Sequence, residues 1–126
     1  MILCTAGYKN YSFYQFKKMV EDLDALVIDV RYSPYTKLPF WGRQSLEENL
    51  CERYVHIREF GNRAYNQGEI EIDDFASGLT TFLDVTENAN VVILLCACEE
   101  FEACHRKVVA EMLIEECDHI DRVDHF

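Results

Sequence analysis

Apolar residues cluster along this chain in two ways. Three runs, Met1 to Thr5, Ala25 to Val30 (ALVIDV) and Asn90 to Cys96 (NVVILLC), are rich in β-branched residues and show almost no polar alternation. Such runs predict strands covered on both faces, as in a parallel sheet between helices. Tyr54 to Ile57 and His119 to His125 are weaker strand candidates. Between the runs, apolar positions recur with a helical period of about 3.6 residues. Ser12 with Gln15 makes a capping box ahead of the stripe Phe13, Phe16, Val20 and Leu23, and Ser45 with Glu48 repeats it ahead of a shorter helix ending near Arg53. Asp73 or Asp74 caps a third helix with the stripe Phe75, Leu79, Phe82 and Leu83, and a fourth begins near Cys104 and carries Val108, Val109, Met112 and Leu113.

The predicted order is β-α-β-α-β-α-β-α-β. Strict alternation implies an α/β fold: a single three-layer αβα domain over residues 1–126, with a mainly parallel sheet of about five strands. In such sheets ligands bind beyond the carboxyl ends of the strands. That rule selects Thr5, Gly7 and Tyr8, then Asp29 and Arg31, then the stretch Cys96 to Arg106 (CACEEFEACHR). The two longest stretches without periodicity, 32–44 and 58–72, are loops long enough to be functional.

Charge changes this picture by assigning a polarity to the chain. The formal net charge is -11, which argues against nucleic-acid and anionic-membrane partners. Yet residues 31–63 carry six Arg or Lys against four Glu, whereas residues 64–126 carry three basic against fifteen acidic residues. An anionic partner should meet the first half. Six cysteines, with no signal-like segment and no apolar run of the roughly 20 residues that span a bilayer, point to free thiols in a cytoplasmic protein. The sequence does not set the oligomeric state.

The candidate chemistry lies at the strand ends. Cys104 at a helix N-terminus feels the macrodipole, worth about 0.3–1 kcal/mol, and Arg106 adds to it, while Glu99, Glu100 and Glu102 oppose it. A core and cap role for Cys104 therefore weighs against a nucleophile role. A phosphate cradle of the cysteine-phosphatase kind needs five residues between Cys and Arg; seven separate Cys98 from Arg106 and nine separate Cys96 from it, in a loop without glycine. A zinc site from Cys96, Cys98, Cys104 and His105, or from Cys117 and His119, lacks paired knuckles. No metal and no cofactor is expected on these grounds. Asp29 and Arg31, at i and i+2, leave one face of the sheet together. They make either a structural pair or, with Arg106 and Thr5, the lining of a crevice for a small anionic ligand. In the 32–44 loop, Tyr32, Tyr35, Phe40 and Trp41 alternate with basic residues, which suits base stacking or, more simply, packing on the sheet edge. His56 reads as a hydrogen-bonded core histidine.

The pieces TAGY (5–8), DVRYSP (29–34), YVHIREFGNR (54–63) and CACEEFEACHR (96–106), with VDHF at the end, resemble the domain-of-unknown-function family 488. The resemblance implies a three-layer α/β fold and brings no established reaction. Two departures stand out: Cys98 occupies a position where the family usually has glutamate, and the family's Leu-Gly-Gly loop reads Phe60-Gly61-Asn62. Two expectations for function follow. One is a site for a small phosphorylated or nucleotide-like anion, with Asp29 and Cys104 as candidate catalytic groups and Thr5, Tyr8, Arg31, Cys96, His105 and Arg106 as candidate ligand-binding residues. The alternative is a non-catalytic regulatory module that binds protein or nucleotide through the 32–44 loop.

Overall fold

A computed structural model describes residues 1–64, 68–98 and 101–126. The strands are β1 (Ile2–Gly7), β2 (Leu26–Asp29), β3 (Tyr54–His56), β4 (Val91–Cys96) and β5 (Arg122–His125), and the helices are α1 (Phe13–Asp22), α2 (Arg43–Leu50), α3 (Phe75–Val85) and α4 (His105–Glu116). All five strands are parallel, in the order β3-β2-β4-β1-β5. The predicted α/β fold and element order are therefore the observed ones.

Alternation along the central strands sorts the core into two layers. Leu3, Ile28, Val92 and Leu94 face α3 and α4 through Phe82, Val109 and Leu113. Cys4, Val27, Ile93 and Leu95 face α1 and α2 through Phe16, Val20, Leu46 and Leu50. Both faces of β4 are covered, which is why its sequence shows no alternation. Among the described residues, no helix is long and apolar enough to cross a membrane.

The helix starts show where local chemistry prevailed. Ser12 and Gln15 form the predicted capping box, with Gln15 N–H donating to Ser12 Oγ at 3.1 Å and Ser12 N–H to Gln15 Oε1 at 3.0 Å. Asp74, not Asp73, caps α3 by accepting from Ser77 N–H, and bonds from the Ser77 amide and hydroxyl hold its carboxyl below the usual range. The second box does not form. Gly42 is the N-cap of α2, Ser45 lies inside the helix, and the helix stops at Leu50 ahead of a 3-10 turn (Cys51–Arg53). Buried Trp41 and the bond from Arg43 N–H to Pro34 C=O, 2.8 Å, start the helix three residues early. Leu23 and Leu83, placed on apolar stripes by periodicity, are exposed.

Candidate functional site

The carboxyl ends of β2 and β4 lie side by side, Asp29 paired with Leu95, and both chains leave the sheet there. Asp29 is 0% exposed, so its charge requires partners. Its Oδ1 accepts from the Arg31 backbone N–H at 3.1 Å and from Arg31 Nε at 2.9 Å, and its Oδ2 accepts from Arg31 Nη2 at 2.7 Å. Tyr54, on β3, donates its hydroxyl to Oδ2 at 2.5 Å. Burial and the neighbouring Asp29 carboxylate push the Tyr54 phenol far up, so it stays a donor. The Arg31 guanidinium also lies 5.4 Å from the centroid of the buried Tyr8 ring, which stacks on Trp41 at 4.9 Å. Arg31 is thus held on one edge by a fork and on one face by an aromatic ring, while Nη1 is not engaged by Asp29.

The sulfurs form a second network on the opposite face of the sheet. The strand ends at Cys96 and the chain turns there. Sγ of Cys96, Cys98 and Cys104 all lie within 4.8 Å of one another, with Cys96 and Cys104 in contact at 2.7 Å. Arg106, 1% exposed, donates from Nη1 to Cys96 Sγ at 3.1 Å and to the Cys98 carbonyl at 2.8 Å. The carbonyl seats against Gly7, where a Cβ would stand 1.7 Å from it. Hydrogen bonds from Cys104 and then Cys96 hold the Cys98 thiol far below its ordinary value, with the charges of His105 and Arg106 acting the same way. Donation to Cys104 and Cys98, with burial, pushes Cys96 strongly up. The bond with Cys96 alone would lower Cys104, but the bond with Cys98 and burial outweigh it, and Cys104 is raised. Of the three thiols, Cys98 is the one whose pKa is lowered.

Between the networks opens a crevice of about 420 Å³ whose lining includes Arg31, Tyr32, Tyr35, Asn62, Cys98 and His105. Both aperiodic loops contribute to it. His105 donates from Nε2 to the Val30 carbonyl at 2.6 Å, and burial, ahead of every other influence, lowers its pKa, so the ring is neutral near pH 7.

The sequence-selected residues distribute unevenly around this opening. Arg31 and His105 line it, and Asp29 and Tyr8 support Arg31 from behind. Cys96 and Cys104 are buried behind Cys98, and Arg106 points into the sulfur cluster instead of towards Arg31. Thr5 is buried at the β5 side, with Oγ1 and His125 Nδ1 2.9 Å apart. Glu99 and Glu100 lie outside the described residues. Trp41 packs in the core as the simpler reading of its loop expected, and His56 Nε2 donates to the Arg31 carbonyl at 2.7 Å. Sequence reasoning missed Tyr54 as a partner of Asp29. The signal was weak but present, because Tyr54 and His56 share a face of β3 and Asp29 pairs with His56.

Accessibility makes a prediction for the thiols. At pH 6.5 in metal-free protein, iodoacetamide should modify half-exposed Cys98 faster than fully exposed Cys51, and leave Cys104 and Cys96 unreacted in the folded state. Peptide mapping over time checks this; reaction at Cys51 first would contradict it.

The family described as Domain of unknown function DUF488 matches residues 12–113, a span that holds the motifs at 29–34, 54–63 and 96–106. No curated protein and no solved structure matches the chain. With about four-fifths of its length matched, on an all-parallel three-layer sheet, the chain belongs to the DUF488 family.

Proposed function

We propose that the crevice at the ends of β2 and β4 binds a small anionic ligand of phosphorylated or nucleotide-like type. The observation that carries this reading is Arg31: it lines the crevice while Asp29 holds one edge of its guanidinium and Tyr8 one face. A cation held this way loses little side-chain freedom on binding. The crevice volume falls in the usual range for small-molecule sites, about 300–1,000 Å³. Tyr35, 78% exposed at the rim, and half-buried Tyr32, with Arg58 over its ring at 4.4 Å, offer flat walls for a base or similar group.

The test uses adenosine monophosphate and inorganic phosphate as probes, with the protein as isolated. Both should raise the melting temperature in a concentration-dependent way, as expected for ligands that bind only the folded state. Arg31→Lys, which keeps the charge but loses the planar fork, should abolish both effects. Tyr35→Ala should weaken the nucleotide more than the phosphate without changing basal stability. A melting temperature indifferent to both probes at millimolar concentration removes this reading.

The module alternative has one observation in its favour: Tyr35, Leu38 and Phe40 expose apolar surface on the 32–44 loop. The burial of Trp41 and its stacking on Tyr8 assign much of that loop's aromatic content to packing.

A further inference from the structure

We propose that Cys96, Cys98 and Cys104 form the thiolate shell of a site for a divalent soft-to-borderline cation, with zinc as the best fit. The site shares Cys98 and His105 with the wall of the anion crevice but makes no use of Arg31. Three sulfurs from one strand end, one turn and one helix start converge within 4.8 Å. With metal–sulfur bonds of about 2.3 Å, tetrahedrally placed sulfurs stand roughly 3.8 Å apart, a value that the observed spacing brackets. Small side-chain rotations that part Cys96 from Cys104, now at 2.7 Å, would complete the shell. Thiolate donors select zinc-like and softer ions over magnesium or calcium.

A fourth donor stands beside the three sulfurs, outside the group that lies within 4.8 Å, and would have to move in to join it. His105 Nε2–H is bound to the Val30 carbonyl, which fixes the tautomer and leaves the Nδ1 lone pair on the side of Cys104 Sγ, 3.9 Å away. Ligating histidines characteristically donate their other ring N–H to a carbonyl or carboxylate in this way. The set is then Cys3His, a standard structural-zinc combination.

Charge selects the valence. Three thiolates around a divalent ion leave one negative charge, and the Arg106 guanidinium against Cys96 Sγ balances it, so the buried group as a whole is neutral. A monovalent ion in the same shell would leave a net negative charge. A Cys96–Cys104 disulfide would instead set a neutral sulfur pair beside Arg106, a poorer partner for a guanidinium than thiolate. Binding of the divalent ion releases the protons that the thiols carry.

The experiment uses the full chain, kept reduced with a phosphine and freed of metal by a chelator, with Co²⁺ as the probe. An intense near-ultraviolet sulfur-to-cobalt band should saturate at one equivalent and be displaced by Zn²⁺. Cys98→Ser, at a half-exposed position, should weaken Co²⁺ binding more than about 100-fold, beyond the roughly 10–100-fold that loss of an outer partner costs. Cys51→Ser should leave it unchanged. Should Cys98→Ser fold poorly, the wild-type chain decides the matter: Zn²⁺ should slow iodoacetamide modification of Cys98 and leave Cys51 unaffected. Absence of the band, a band unaltered in a folded Cys98→Ser, no protection by Zn²⁺, or a Cys96–Cys104 disulfide in protein whose thiols are blocked at cell lysis would each overturn the proposal. None of these results depends on Arg31, so the anion reading stands or falls separately.

Discussion

Arg31→Met should lower the stability of the folded chain by about 3–5 kcal/mol, because it leaves the Asp29 carboxylate buried without its cation. Asp29 is 0% exposed and Arg31 only 7%. Removing the guanidinium takes away both arms of the fork, and Tyr54 remains as the one side-chain donor named for Asp29. Urea unfolding should show a lower midpoint with an unchanged slope, and the melting temperature should fall by roughly 10–20 °C for a chain of this size. The double variant Arg31→Met with Asp29→Leu should recover much of the loss, since it removes the orphaned charge as well. A loss below about 1 kcal/mol in the single variant would mean that the pair is solvated in solution and behaves like a surface ion pair. This outcome bears on the anion site too. An arginine that must hold Asp29 to keep the fold cannot swing to a ligand, so it has to act in place on the wall of the crevice.

Gly7→Ala should cost about 3 kcal/mol or more, at the upper end of overpacking penalties. The added Cβ would stand 1.7 Å from the Cys98 carbonyl oxygen, 2.9 Å from its carbon and 3.0 Å from Arg106 Nη1. Two of these atoms are backbone, so no side-chain rotation relieves the clash. The turn after β4 must move, and with it the bond from Arg106 to the Cys98 carbonyl. Gly42→Ala is the control, because the nearest atom to its new methyl group is the Thr36 carbonyl oxygen at 4.0 Å, and it should cost less than about 1 kcal/mol. Matched melting temperatures for the two variants would show that the turn yields freely and that Gly7 has no positional role.

The layers were legible because burial on both faces leaves a direct trace in β4, and because the Ser12 box is local chemistry that tertiary packing did not disturb. The start of α2 was not legible. It is fixed by a tryptophan plug and a bond to Pro34, and neither has any signature in the spacing of Ser45 and Glu48. Asp29 and Arg31 could be paired from their i, i+2 relation alone. The sulfur cluster could not, since it depends on where β4 stops. A strand running on through Cys98 would keep it on the face of Cys96 but carry it roughly 6–7 Å further along, whereas the turn after Cys96 gathers both sulfurs with that of Cys104. Sequence also drew Arg106 to the wrong neighbour. Proximity to the end of β4 suggested Arg31, while the helical position two residues after Cys104 sends its guanidinium to sulfur.

Two histidines, His105 at the crevice and His56 outside it, fasten consecutive carbonyls. His56 from β3 holds the Arg31 carbonyl, and His105 from the first turn of α4 holds that of Val30. The link between β2 and the 32–44 loop is therefore pinned from two separate elements, one at the sheet edge and one in a helical layer. Its ordering entropy is lost when the chain folds, not when a ligand arrives, so the floor of the crevice is rigid in advance. Any tightening that accompanies occupancy must then come from the walls, and amide exchange at Arg31 should be equally slow in empty and occupied protein while exchange around Asn62 and Ile70 slows.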